Sequence, residues 1–336
     1  MVTFSVCMIV KNEESVLERC LNSIADLMDE IIIVDTGSAD KTKQIARKFT
    51  DKIYDFTWVG DFSKARNFAF EKASCDYIYS ADADEILDEE NREKLRQLKE
   101  TILPEIDLVQ MKYTNQLEYG TIYNYDEELR PKLFKRIRTF RFEEPIHEMV
   151  VLEPVIYDSD IVVIHKPQES HTSRDIAAFE RLIEEGENLS KRLHNLYAKE
   201  LFISGTKEDC IRAVPFFEDS AMDGTRSLDE VKEACCVAAR GSRISGNVPA
   251  FFKYALKCVA ADGCSEICCE LGRYYMDAGD YKEAELWFYN AAYETECILD
   301  IKCRDELPFQ ALSQCCRMCG EEEMAAFYEE EEKSRK

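Results

Sequence analysis

This sequence opens without a long apolar run and carries no surplus of positive charge. The first apolar run, Val2 to Val10, stops at Lys11 after nine residues, well short of the roughly 20 that a bilayer-spanning helix needs. Neither a basic leader nor a small-residue cleavage site accompanies it, which predicts a cytoplasmic protein with no integral membrane segment. With 43 Lys and Arg against 67 Asp and Glu, the formal charge is -24. It is evenly spread: residues 1–170 hold 22 basic and 34 acidic side chains and residues 171–336 hold 21 and 33, or -12 each. Such a surface repels a phosphate backbone and anionic headgroups, so nucleic acid and membrane surfaces are excluded as default partners. A zinc knuckle is missing too, because Cys316 and Cys319 have the spacing but no second Cys-x-x-Cys or nearby His completes four ligands. The fifteen cysteines, twelve of them between Cys210 and Cys319, read as reduced, small buried residues on helices.

What is present suits two domains. Residues 1 to about 110 alternate short apolar runs with amphipathic stretches, as a parallel sheet of βαβ units does. Strands are expected at Phe4–Val10, Glu30–Val34, Ile53–Phe56 and Asp76–Ser80, with helices between them. Further β runs at Leu108–Tyr113, Leu133–Ile137, Met149–Leu152 and Ile161–Ile164 extend the sheet. From about residue 172 the chain reads as helical. Leu271-Gly272, Tyr275, Gly279, Ala284 and Phe288 match the spacing of a tetratricopeptide unit. Gly205 before Phe217 and Gly246 before Tyr254 repeat it, placing aromatics 37 and 34 residues apart, and Gly320, Ala325 and Tyr328 form a cap. The expected architecture is α/β over residues 1–168 followed by an all-α helical repeat over 169–336.

The chemistry gathers at strand ends, where a parallel sheet binds its ligands. Asp82-Ala83-Asp84 follows the fourth strand and supplies carboxylates that a divalent cation can share with a diphosphate. Residues two apart in a strand tail point the same way, so both carboxylates are expected to face the ligand. Lys11-Asn12-Glu13-Glu14 opens a helix after the first strand. Asp35 ends the second, ahead of Gly37, Ser38, Asp40 and Thr42; it suits the N3–H of uracil, while Gly37 permits close backbone approach. Arg66 and Asn67 lie on the next helix, where an arginine reaches phosphate or base. Arg130 to Arg141 holds six cations and no acid, which suits a diphosphate or an acidic acceptor.

Four motifs in order, VKNEE at 10–14, VDTGSADKT at 34–42, DFSKARN at 61–67 and DADE at 82–85, resemble family 2 glycosyltransferases. That resemblance covers residues 1 to about 165. It implies a GT-A fold, an inverting mechanism, a nucleotide-sugar donor that is usually UDP-linked, and Mn²⁺ or Mg²⁺. By carry-over it implies nucleotide-sugar binding by Val10, Lys11, Asn12, Glu13, Asp35, Gly37, Ser38, Arg66, Asn67, Asp82 and Ala83, with Asp84 on the metal. Pro145-Ile-His147-Glu148 matches the family's His-Glu pair. Glu148 is expected as the base that takes the acceptor proton, with Glu143 and Glu144 as alternatives. His147 is expected beside Asp84 on the metal, with His165 as the alternative.

The helical half adds a resemblance to the branch containing the bacteriocin S-glycosyltransferases, which modify peptide cysteines. The implied function is transfer from a UDP-sugar to a protein or peptide acceptor held on the repeats, whose surfaces also permit a homodimer. Two rivals stand beside it: transfer to a polysaccharide or lipid-linked glycan, and an inactive domain serving as a binding scaffold.

Overall fold

The computed structural model describes residues 1–114, 127–150, 153–166 and 172–335, with side chains of the last segment from 175. The expected boundary at 168/169 and the end of the Met149–Leu152 strand lie outside the described residues. Two compact units form, Met1–Ser170 and His171–Lys336.

The first unit holds strands β1 (Phe4–Val10), β2 (Glu30–Asp35), β3 (Ile53–Asp55), β4 (Tyr77–Ser80), β5 (Glu85–Ile86), β6 (Leu108–Thr114), β7 (Glu128–Lys135), β8 (Phe142–Glu143), β9 (Met149–Val150) and β10 (Ile156–His165). Its α-helices are α1 (Leu17–Ile24), α2 (Thr42–Ala46), α3 (Phe62–Lys72) and α4 (Glu89–Thr101). Eight strands make one sheet in the order β3-β2-β1-β4-β7-β6-β10-β5, while β8 and β9 pair separately. The first four are parallel; β7 runs antiparallel to both β4 and β6, and β10 is parallel to β6.

The unbroken apolar run of β1 follows from burial on both faces. Phe4, Val6, Met8 and Val10 pack with Leu17, Leu21 and Ile24 of α1 and Leu95 of α4. Cys7 faces the other way, with Val34, Ile78, and Ala69 and Phe70 of α3. The chain moves from β1 out to β2 and β3, then returns to set β4 on the other side of β1. This reversal opens a crevice at the carboxyl ends of β1 and β4, the usual ligand position in such sheets. The first helix starts later than expected, at Leu17, because residues 11–14 are held by the loop after β2: Glu13 N–H donates to Thr42 Oγ1 at 2.7 Å and Glu14 N–H to Asp40 at 3.0 Å.

The second unit is all helical: α5 (Thr172–Glu184), α6 (Lys191–Ile203), α7 (Lys207–Met222), α8 (Leu228–Ile244), α9 (Val248–Val259), α10 (Ser265–Asp277), α11 (Tyr281–Tyr289), α12 (Lys302–Asp305), α13 (Leu307–Met318) and α14 (Glu322–Arg335). Each helix of α7 to α9 packs on the next, and α6, α8 and α10 also stack on one another, the neighbour-only contact of a repeat. The periodic aromatics Phe217, Tyr254, Phe288 and Tyr328 fall on α7, α9, α11 and α14 and are buried. Gly246, Gly279 and Gly320 precede the last three of these helices with φ between 75° and 80°, left-handed turns that favour glycine. Gly205 meets its neighbours differently: a Cβ there would lie 2.7 Å from the Leu201 carbonyl oxygen.

Candidate functional site

Asp35, the last residue of β2, is 1% exposed. Its Oδ1 accepts from the amides of Gly37 and Ser38, each at 3.0 Å, and Lys43 Nζ stands 3.5 Å away. Gly37 has φ 106°, a conformation that leaves its amide pointing back at the carboxylate. Burial raises the carboxyl's pKa, but the hydroxyl and amide of Ser38, with Gly37 and Lys43, outweigh it and hold Asp35 below its ordinary value. The second oxygen, Oδ2, is buried and finds no hydrogen-bond partner among the described residues. A buried acceptor of that kind calls for a donor from an ordered water or a ligand.

The loop after β1 is laced to the loop after β2. Asn12, at φ 56°, donates its amide to Ser38 Oγ at 2.9 Å and accepts from the amide of Ala39 at 2.8 Å. Lys11 beside it is exposed. The Val10 side chain belongs to the core and its carbonyl accepts from Thr36, which leaves only position, not a side-chain role, for Val10. Ala83 is likewise buried.

The acidic motif is a turn rather than a strand tail. The amide of Glu85 donates to the Asp82 carbonyl, and the amide of Asp82 donates to Glu85 Oε2, each at 3.2 Å. The turn exists because β5 must reverse to pair antiparallel with β10, Glu85 opposite His165. The two carboxylates therefore part. Asp82 Oδ1 meets Arg66 at 3.3 Å, whereas Asp84 Oδ2 lies 3.2 Å from His165 Nε2. His165, one of the two candidate imidazoles, thus stands beside Asp84. His147 occupies an irregular segment between β8 and β9, where Glu144 and His147 have φ of 70° and 49°.

Arg66 is the hub. From α3 its guanidinium donates to Glu148 at 2.6 Å, to Ser80 Oγ at 2.7 Å and to Asp82. Although burial opposes its charge, Glu148 and Asp82 hold it cationic. It is an ion-pair centre that fixes Glu148, at the end of the irregular segment, beside Asp82. The Asn67 amide group donates to the Phe142 carbonyl at 2.9 Å and accepts from the Phe142 amide at 2.8 Å, pinning β8 to α3.

Two further residues belong here. Glu85 and Lys132 are 3% and 5% exposed, and Lys132 Nζ contacts both Glu85 oxygens at 2.7 Å. Burial, aided by Asp82 and Asp84, pushes Glu85 up to about 7 despite the lysine. Glu85 stood within the DADE motif and Lys132 within the basic stretch, so alternation of burial along β7 was the available signal. Other cations of that stretch make contacts within the fold: Arg130 pairs with Glu128 and lies 3.9 Å over the Tyr113 ring, Arg138 reaches Asp107 at 3.4 Å, and Arg136 donates to the Cys75 carbonyl at 2.6 Å. Arg141 is exposed.

Residues 5–151 match the family described as glycosyl transferase family 2. Among curated proteins, a TPR repeat-containing protein of Synechococcus elongatus is 38% identical over 152 residues, covering 45% of this chain and 36% of that one. The SPbeta prophage-derived glycosyltransferase SunS of Bacillus subtilis is 33% identical over 162 residues, covering 47% of this chain and 36% of that one. The chain therefore spans little more than a third of the length of these relatives. Glucosyl-3-phosphoglycerate synthase from Mycobacterium tuberculosis superimposes with a TM-score of 0.41 at 16% identity, over 56% of this chain and 82% of that one. Taken with the strand order and the four motifs, the match shows that residues 5–151 form a glycosyl transferase family 2 domain.

Proposed function

We propose that this chain is an inverting glycosyltransferase that moves a sugar from a UDP-linked donor to a protein or peptide acceptor with the help of a divalent cation. The observation that carries the reading is Asp35: a buried carboxylate at the switch-point crevice with one oxygen already satisfied by backbone amides and the other without a partner among the described residues. That pattern suits the N3–H of a uracil ring. In this reading Lys11, Asn12, Glu13, Gly37 and Ser38 shape the base pocket, and Asp82, neighboured by Arg66, takes the ribose.

Asp84, with His165 or His147, would hold Mn²⁺ or Mg²⁺. A carboxylate oxygen and an imidazole nitrogen 3.2 Å apart form a donor set that such ions accept. When bound, the ion stabilises the negative charge of the departing diphosphate. Glu148 takes the acceptor proton as the acceptor atom attacks the anomeric carbon from the face opposite the diphosphate. Arg66 orients Glu148 through the 2.6 Å pair and ties it to Asp82, so base and donor pocket share one support. The peptide acceptor is supported by the helical repeat, an extended array of the kind that binds peptides, and by the resemblance to the bacteriocin S-glycosyltransferases.

The test is turnover of UDP-sugars with Mn²⁺ or Mg²⁺ and candidate peptides, followed by mass spectrometry of the acceptor. Asp84→Ala should abolish metal-dependent turnover. Absence of UDP-sugar binding by calorimetry with either ion would overturn the proposal, and sugar found on a glycan instead of a peptide would reassign the acceptor.

A further inference from the structure

Three thiols of the helical unit converge from three different helices. Cys236 lies in α8, Cys258 in the last turn of α9 and Cys264 at the N-cap of α10, and all three are at most 1% exposed. Cys264 Sγ is 3.3 Å from Cys236 Sγ and 3.8 Å from Cys258 Sγ, and the three sulfurs all lie within 4.8 Å of one another. Sulfurs bound at about 2.3 Å around a single cation in a trigonal plane stand about 4.0 Å apart. The group needs only tenths of an ångström of adjustment to close on an ion. Among the described residues it is the one candidate metal-binding group made only of sulfur.

The backbone is shaped to bring this about. Between Cys258 and Cys264 the chain takes two successive left-handed residues, Asp262 at φ 69° and Gly263 at φ 60°. Gly263 donates its amide to the Cys258 carbonyl at 2.9 Å, and this reversal returns Cys264 over the end of α9. Aspartate and glycine adopt such a left-handed helix end readily. Inert hydrophobic packing of three cysteines does not require this concentration of thiol-to-thiol contacts.

We infer that Cys236, Cys258 and Cys264 form a buried binding site for one thiophilic metal ion in three-coordinate sulfur geometry, best matched by Cu(I). Softness of the donors selects Cu(I) or Zn(II). Structural Zn(II) closes its tetrahedron with a fourth protein ligand, and this group offers three. The site would tie α8, α9 and α10 together and would stabilise the repeat whenever the ion is bound. Its chemistry is separate from that of the transferase crevice.

The experiment uses the full chain, reduced and handled without oxygen, titrated with Cu(I) buffered by a competing chelator and, in a parallel arm, with Zn(II). One equivalent of Cu(I) per chain should be retained, with a sulfur-to-copper charge-transfer band, three sulfur neighbours by X-ray absorption, and a rise in Tm. Alkylation followed by mass spectrometry should find Cys236, Cys258 and Cys264 protected together. Cys258→Ser should weaken Cu(I) at least tenfold and abolish the Tm rise. Cys235→Ser, at an adjacent buried thiol outside the group, should do neither. Far-ultraviolet dichroism of metal-free Cys258→Ser guards against simple unfolding; should that variant misfold, Cys264→Ser serves instead. Failure to retain Cu(I), retention undiminished in the serine variants, or preference for Zn(II) in a four-ligand shell would each overturn the assignment.

Discussion

At the scale of single residues, Asp35 and Arg66 carry most of the site's organisation. Asp35 is fixed by its own turn, so changing it should remove a ligand contact while leaving the sheet intact. A hydrogen bond to a charged group contributes about 1.5–3 kcal/mol. Asp35→Ala should therefore weaken UDP binding by roughly 10- to 100-fold, since about 1.4 kcal/mol is a factor of ten. Calorimetry with Mn²⁺ checks this, and unchanged affinity would remove Asp35 from the base pocket. Arg66 spans Glu148, Ser80 and Asp82 through a planar fork that lysine cannot reproduce. Arg66→Lys is expected to lower kcat more than donor affinity, because Glu148 loses its 2.6 Å partner while the donor pocket loses only the 3.3 Å contact to Asp82 and keeps Asp35. Equal losses in kcat and affinity would instead mark Arg66 as a donor contact.

At the scale of elements, the helices of the second unit are joined by a few specific devices. Glu270 on α10 is fully buried and meets Arg240 and Arg243 of α8 at 2.9 and 2.7 Å, and Arg273 at 2.8 Å. Burial would raise its pKa, but the three guanidinium groups outweigh it and hold the carboxyl near about 2, against an ordinary 4.5. A depressed acid stabilises the fold fully above its unfolded value and loses that contribution as pH falls through its folded one. Glu270→Gln should thus cost on the order of 3 kcal/mol at pH 7, and the gap to the parent should shrink between about pH 4.5 and pH 2. Denaturant unfolding at a series of pH values tests it; a gap independent of pH would show that packing, not charge, is at stake. Gly272 is the second device. A Cβ there would stand 2.8 Å from the Phe288 ring, so α10 and α11 approach through a space only glycine leaves. Gly272→Ala should destabilise by about 1–3 kcal/mol through overpacking, and Phe288→Leu in the same chain should restore part of the loss. Additive losses would disprove the contact's role.

For the whole molecule the governing quantity is charge. With -12 on each half of the sequence, long-range fields favour basic ligands and oppose polyanions. A peptide acceptor of net positive charge should associate faster than an acidic one, with a rate that falls as salt shortens the Debye length from about 10 Å at 0.1 M to about 3 Å at 1 M. Stopped-flow association at several ionic strengths measures this directly, and a rate indifferent to salt would exclude charge as the selector.

Much of this architecture was legible without coordinates, for reasons that are local. The run Phe4–Val10, continuous because both its faces are buried, the left-handed glycines 246, 279 and 320, and the aromatics at 217, 254, 288 and 328 each encode their element within a few residues. The motifs at Lys11, Asp35 and Asp82 could be assigned to strand ends for the same reason. What depended on the tertiary structure was which side chain meets which. Asp84 and His165 are 81 positions apart, Arg66 and Glu148 82, and Lys132 and Glu85 47, and no periodicity reports on such separations. The divergence of Asp82 from Asp84 came from the demand that β5 pair with β10. Asn67 meets Phe142 of β8, 75 positions away. The sequence by itself determined the elements, their order and the strand ends where the chemistry gathers, since these follow from local burial and turn preference. Only the folded chain decided the partners of Asp84, Glu148, Glu85 and the three thiols, because pairing across long loops is set by how the elements pack.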